Sequence, residues 1–280
     1  MRLPAVMELV RVEHSIMLVL GVATSILLLD LQFTHTQLLL LSLCPFLVSA
    51  GAFALNDYFD AGSDRKNRKD RPIVRGDVSE QLALWLGVSL LSLGVLIAFP
   101  LGMQAFSIAL VFAFLSVLYD WKLKDVALIG NSIIAASMAI VFIFTEVALA
   151  GTISQLTLLI CATSFLSGLG REIQKTVQDV EGDVLARKSM TLPVLIGKAP
   201  SLHLSLVFVL AASLLGIYLY LTVPPLQNNP LYIIPMTLSI GLLCYSSYLF
   251  YGGKKSAEKG RKLSLYALML GIFAFLLGGI

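Results

Sequence analysis

The chain has 280 residues, of which 58% are hydrophobic and 13% charged, with a mean hydropathy of +0.88 and a formal net charge of +3. This balance lies far from that of a soluble domain and excludes one. The small positive charge makes no case for nucleic acid, because basic loops facing an anionic leaflet account for it.

A hydrocarbon core about 30 Å thick takes roughly 20 apolar residues per helical span. Runs of this kind cover 14–31, 37–56, 80–99, 103–119, 126–145, 152–170, 200–223, 231–251 and 263–280. They lack a period-two polar alternation, which predicts helices rather than barrel strands. The expected fold is an all-α membrane protein, a single domain over 1–280 built as a bundle of nine transmembrane helices. The first run lacks a small-residue cleavage site and is read as a retained helix. All twenty lysines and arginines fall on one side of this scheme, leaving only Asp30 and Glu146 as charges on the other. Basic loops stay cytoplasmic, so the expected placement is a multi-pass cell-membrane protein with its N-terminus inside and its C-terminus outside.

In chain order, the first concentration of charge follows span 2, in "FALNDYFDAGSDRKNRKDRPIVRG". Asp57, Asp60 and Asp64 stand at i, i+3 and i+7 beside Asn56, so a continuing helix would project their carboxylates from one face. Carboxylates this close repel, and a hard divalent cation such as Mg²⁺ satisfies them. The stretch alone fits a metal site and a solvated charged loop equally. At the end of span 4, "LYDWKLKD" places Tyr119, Lys122 and Lys124 on the same side. These can grip an anionic oxygen or serve as interfacial anchors. After span 6, "GLGREIQKTVQDVEGDVLARK" sets Arg171, Lys175, Asp179, Asp183 and Arg187 at i, i+4 spacing. Two carboxylate groups at the same membrane face suit two Mg²⁺ ions bridging a diphosphate.

Cys44, Cys161 and Cys244 lie in apolar runs without a metal or disulfide spacing, and His14, His35 and His203 are scattered. Small residues at Gly51, Ser167, Gly168 and Gly170 predict close packing of the helices that carry the acidic motifs. Pro45 and Pro235 predict kinks.

Taken together, the residues resemble the UbiA-type superfamily of intramembrane prenyltransferases over essentially the whole chain. The likeness rests on an NDxxDxxxD motif (Asn56, Asp57, Asp60, Asp64), the following "DRP" with Gly76, a YxxK element (Tyr119, Lys122) and DxxxD (Asp179, Asp183). It implies that Asn56, Asp57, Asp60, Asp64, Asp179 and Asp183 hold Mg²⁺ and, through it, a polyprenyl diphosphate. Asp57, Asp60, Asp179 and Asp183 are then the catalytic carboxylates. Arg65, Arg71, Tyr119 and Lys122 bind the diphosphate end of the substrate, with Phe53, Tyr58, Phe59 or Trp121 available to shield a prenyl cation. The resemblance also places the active site at the cytoplasmic ends of the helices and the isoprenoid tail among membrane lipids.

The segment after span 6 is most similar to the branch that joins a geranylgeranyl group to geranylgeranylglyceryl phosphate, making the second ether bond of archaeal-type lipids. The acceptor is then lipid-like, and its phosphate needs cations, for which Arg171, Lys175, Arg187, Lys188 and Arg68 qualify by charge. The alternative is an aromatic acceptor of a quinone or chlorophyll-type pathway. Two departures touch the acceptor side. Thr176, Val177 and Gln178 stand where many relatives have a further Asp, and Val74, Arg75 and Asp77 stand where small or oppositely charged residues are more usual. A transporter or scaffold fits less well, since the ionisable groups form no relay across the midplane and a scaffold leaves the paired motifs unexplained. Nothing in the sequence calls for a protein partner.

Overall fold

The computed structural model describes residues 3–66, 69–187 and 189–280, with the side chains of 181–187 excepted. The described α-helices are α1 (Leu3–Leu9), α2 (Val12–Leu28), α3 (His35–Lys66), α4 (Pro72–Arg75), α5 (Glu80–Ala98), α6 (Met103–Trp121), α7 (Ile129–Ala150), α8 (Gln155–Arg187), α9 (Leu192–Ile196), α10 (Lys198–Thr222), α11 (Pro230–Leu249) and α12 (Lys254–Gly278). Eight are long and apolar enough to cross a membrane, and α1 with α2 adds a ninth span bent by 58° at its break. The chain is thus an all-helical, multi-pass membrane protein, and the expected nine spans are reached when this broken pair counts as one.

The break sits at Arg11, whose φ of 46° lies in the left-handed region. A left-handed arginine costs about 1–2 kcal/mol. Its guanidinium is held in place by Asp57 of α3 and lies 4.5 Å from the centroid of the Phe53 ring.

Helix length decides where the acidic motifs go. At 1.5 Å per residue, the 32 residues of α3 and the 33 of α8 each span about 50 Å, well beyond a 30 Å hydrocarbon core. Their last turns therefore leave the apolar layer, and each carries its acidic motif there as helix rather than loop.

Both long helices lie close against the next span. A Cβ at Gly51 of α3 would come within 2.7 Å of the Leu91 backbone nitrogen in α5, and one at Gly87 within 2.7 Å of Leu55. On the other half, a Cβ at Gly170 of α8 would meet the Ser205 carbonyl of α10 at 3.0 Å, and the Ser205 hydroxyl donates to the Gly170 carbonyl at 2.7 Å. These contacts are small-residue packing of the kind that holds helices together in lipid, where no hydrophobic driving force acts between them. Gln174 strengthens the second half by donating to Ser205 and Ser247, which ties α8 to both α10 and α11. Away from the site end, Glu146 is buried and accepts twice from the Ser154 backbone N–H, fixing the turn between α7 and α8. This pairing explains the isolated acid on the charge-poor side.

The connections at the charged end are also tied to one another. Asp125 accepts from the Ser189 hydroxyl at 2.6 Å, and a short parallel bridge joins Val126 to Met190. The segment after α6 is thereby fastened to the segment after α8, so the two acidic motifs are held in fixed relation.

Candidate active site

A large cavity of about 1540 Å³ opens among these helix ends. Its walls include Asn56 of α3, Tyr119 and Asp120 of α6, Arg171, Glu172, Lys175 and Asp179 of α8, and Arg261 of α12. Deeper, the lining turns apolar, with Val48, Ile108, Phe112, Met138, Ile240 and Phe275 among its side chains. Ordinary single-ligand pockets occupy roughly 300–1,000 Å³. This cavity is larger than that, charged at its mouth and apolar in its depth.

The first acidic motif is braced by cations and by a carboxylate that the sequence reading did not single out. Asp57 is buried, and its Oδ1 accepts from the Arg11 guanidinium at 2.8 Å, with Arg71 4.0 Å away. Asp60 takes the Lys124 ammonium at 2.6 Å, and Lys69 lies 3.1 Å from Asp64. Asn56 donates to Asp120 Oδ1 at 2.6 Å and approaches Asp60 at 3.5 Å. Arg65 pairs with Glu80 of α5. The one-sided helical spacing is therefore realised, but mutual repulsion is relieved by giving each aspartate its own counterion. Among the described residues, no three His, Cys, Asp or Glu side chains converge as a ready metal group. The donor set nevertheless suits a hard cation: carboxylate and amide oxygens, with Asp57 Oδ2 buried and lacking a hydrogen-bond partner.

The second motif is built differently. Arg171 and Lys175 both bind one buried glutamate, with Arg171 donating to Glu172 Oε1 at 2.8 Å and Lys175 to Oε2 at 3.0 Å. Asp179 faces Arg261 of α12 at 4.0 Å. Asn131 donates to Thr176 at 2.7 Å, so the turn that lacks the extra aspartate is used to tie α8 to α7. Asp183 lies on the same helix, while its side chain, like that of Arg187, lies outside the described residues, as do Lys188 and Arg68.

Six of the residues picked from the sequence therefore line one cavity: Asn56, Arg71, Tyr119, Arg171, Lys175 and Asp179. Asp57, Asp60, Asp64, Arg65 and Lys122 are not among its walls; all but Lys122 belong to the ion pairs just given. At the end of α6 it is Lys124 rather than Lys122 that reaches the first motif, because the chain turns through a short 3-10 segment there. Of the four aromatic candidates, Phe53 lines the cavity, while Trp121 is 69% exposed and Tyr58 packs against Phe59 instead. Successive helical residues diverge by about 100°, so neighbours of an inward side chain face elsewhere.

Arg75 and Asp77, unusual against the family pattern, account for each other. Arg75 binds Asp77 at 2.8 Å, Asp70 at 2.7 Å and Glu8 of α1 at 2.6 Å. The hydrogen bonds it donates to these three carboxylates raise its pKa above the ordinary arginine value, keeping it charged. The cluster pins the loop after α3 to α1, whose Glu8 also lines the cavity. Residues missed in the sequence are Arg11, Asp120, Glu172 and Arg261. Asp120 had a visible signal as the charge beside Tyr119, whereas the others depend on pairing across the fold.

The model of the UbiA prenyltransferase family matches residues 17–278. The digeranylgeranylglyceryl phosphate synthase of Archaeoglobus fulgidus is 37% identical over 282 residues, covering 99% of this chain and 95% of that protein. A solved structure of digeranylgeranylglyceryl phosphate synthase in membranes superposes with a TM-score of 0.75 at 28% identity, covering 99% of this chain and 98% of that one. A UbiA homolog from A. fulgidus bound to DMAPP and Mg²⁺ shares the fold, with a TM-score of 0.69 at 16% identity and coverage of 97% and 99%.

Proposed function

The chain belongs to the UbiA prenyltransferase family, and from that premise we propose that it transfers a geranylgeranyl group from its diphosphate to geranylgeranylglyceryl phosphate. The product carries the second ether bond of an archaeal-type membrane lipid. One observation carries the reading: the helices of both acidic motifs open into one cavity, cationic at the mouth and apolar in depth.

Asn56, Asp57, Asp60, Asp64, Asp179 and Asp183 are the residues that would hold Mg²⁺. The bound metal supplies charge stabilisation for the leaving diphosphate as the allylic carbon–oxygen bond breaks. The protein's own groups do the rest. Tyr119 and Arg71 line the cavity and each offers a donor to phosphate oxygens; Lys122 and Arg65, which are not among its walls, would add theirs from the ends of α6 and α3. Lys124 and Arg11 hold Asp60 and Asp57 in position from the segment after α6 and from the break between α1 and α2. The prenyl chain lies along the apolar walls, which exclude water from the carbon left electron-poor when the bonding pair departs with the diphosphate. Phe53 and Phe112 can face that carbon with their rings. The acceptor hydroxyl attacks the same carbon, forms the ether bond and loses its proton to the departing diphosphate or to water at the open mouth.

The reading puts the charged mouth on the cytoplasmic side, with the N-terminus inside and the C-terminus outside, and the gathering of lysines and arginines in the loops at that end supports it. Gly279 packs against Leu27 and Leu28, so the chain ends beside the outer end of α2. The buried Arg171–Glu172–Lys175 cluster favours a phosphate-bearing acceptor over an aromatic one.

The test is product identity. With labelled geranylgeranyl diphosphate and Mg²⁺ in lipid discs, label is expected in digeranylgeranylglyceryl phosphate, and hydroxybenzoate or naphthoate should neither accept label nor compete. Label in either aromatic acid, with none in the glyceryl phosphate, overturns the acceptor.

A further inference from the structure

Cations outnumber carboxylates on the α8 and α12 side of the cavity, whereas near the first motif they are matched. There, Arg11, Lys69 and Lys124 each face one aspartate within about 3 Å, and Arg71, 4.0 Å from Asp57, is offset by Asp120 beside Asn56. On the other side, Arg171 and Lys175 share the single carboxylate of Glu172. Arg261 reaches in from α12 and stands 4.0 Å from Asp179, too far for a good hydrogen bond. It is also within Coulombic range of Arg11, Glu172 and Lys175.

A second observation points to a ligand at this place. The Arg171 side chain is only 8% exposed, and its Nε is buried with no hydrogen-bond acceptor. An orphaned guanidinium N–H in a buried site costs free energy unless something accepts from it. The protein leaves that donor at the wall of the cavity.

We propose that Arg261 joins Arg171 and Lys175 to bind the phosphate monoester of the lipid acceptor, and that Glu172 is the positioning residue that sets the two α8 cations. The proposal rests on the acceptor named above. Once Asp179 is engaged in holding Mg²⁺, three cations here oppose one carboxylate, leaving two positive charges for a dianionic phosphate. Guanidinium groups suit the task because their planar forks bind phosphate oxygens in pairs. Glu172 keeps Arg171 and Lys175 from spreading apart by their mutual repulsion and draws one to each of its oxygens. The glycerol hydroxyl is thereby presented toward the donor carbon, since phosphate and hydroxyl belong to one short headgroup.

The experiment measures steady-state transfer from labelled geranylgeranyl diphosphate to geranylgeranylglyceryl phosphate and to its phosphate-free analogue, geranylgeranylglycerol. Arg261→Gln should raise the KM for the phosphorylated acceptor about 10- to 100-fold, as expected for loss of a charge-assisted contact. The donor KM should stay within about twofold, and the preference for the phosphorylated acceptor should fall by the same factor. Arg261→Lys should recover part of the affinity. Glu172→Gln should weaken the phosphorylated acceptor but not the phosphate-free one, with the folded fraction followed by thermal melting. Glycerol 1-phosphate should compete with the acceptor in the parent enzyme and lose potency in Arg261→Gln.

An unchanged acceptor KM in a folded Arg261→Gln overturns the site while leaving the transferase assignment intact. No transfer to either glyceryl acceptor by the parent enzyme, with transfer to an aromatic acid, removes the underlying assignment instead. An Arg261 effect seen only in discs of anionic lipid, and absent in neutral phosphatidylcholine, would place that arginine on bulk headgroups and also overturn the proposal.

Discussion

Asp60→Ala is expected to slow geranylgeranyl transfer by about 10²- to 10³-fold, the loss typical when one preorganised element of charge stabilisation is removed. Asp60 lies at the centre of the first motif, linked to α6 through Lys124 at 2.6 Å and next to Asn56 on its own helix. Removing it deletes a proposed metal ligand and also leaves the Lys124 ammonium, whose side chain is 9% exposed, without its carboxylate. Breaking a buried pair from one side costs about 3–5 kcal/mol in the worst cases, so part of the effect can arise from stability. Asp60→Asn separates the two contributions. It keeps the volume and an acceptor for Lys124 while removing the charge, and should reproduce the loss of rate with a smaller fall in melting temperature. Wild-type transfer by a folded Asp60→Asn would remove this carboxylate from the chemistry.

Chelation should have an effect as large. With EDTA, transfer is expected to fall to background, and restored Mg²⁺ should recover it fully. The reason is electrostatic: the carboxylates of Asp57, Asp60, Asp64 and Asp179 repel an approaching diphosphate unless a divalent cation stands between them. Arg11, Lys69 and Lys124 are committed to these carboxylates and do not replace it. The protein should stay folded, because those same pairs satisfy the site without metal. Mg²⁺ with donor should then raise the melting temperature, by an amount equivalent to about 2.7 kcal/mol at a hundredfold excess over Kd. Undiminished transfer in excess EDTA would contradict the assigned role of the acidic motifs.

Much of this architecture was legible in the sequence because lipid imposes a simple rule. A span needs a long apolar run, and the runs around residues 80–99 and 103–119 coincide almost residue for residue with α5 and α6. The ends were harder to place. The run over 263–280 belongs to a helix that begins at Lys254, since polar residues on an emerging helix carry no hydropathy signal. The break at Arg11 was invisible, because it depends on Asp57, 46 residues away, holding an arginine in a left-handed conformation.

The candidate site divides in the same way. Spacing along one helix identified the acidic motifs, and length carried them to the membrane boundary. Charge bookkeeping across helices was not available from spacing. Glu172 lies one position off the i, i+4 stripe that drew attention to Arg171 and Lys175, yet it is the group that binds both. Arg261 reads in sequence as one more basic residue at a cytoplasmic helix start, and only the packing of α12 beside α8 brings it to Asp179.

The central claim is that the two acidic motifs grip one diphosphate together. The most direct measurement is a double-mutant cycle on the binding of geranylgeranyl thiolodiphosphate, a non-reacting donor analogue, at saturating Mg²⁺, using Asp60→Ala, Asp179→Ala and the combined variant. If both motifs hold the same ligand, each single change should weaken binding and the combined loss should fall short of their sum, with a coupling of about 0.5–3 kcal/mol. Strict additivity, or a change at Asp179 that leaves analogue binding untouched, would contradict a shared site.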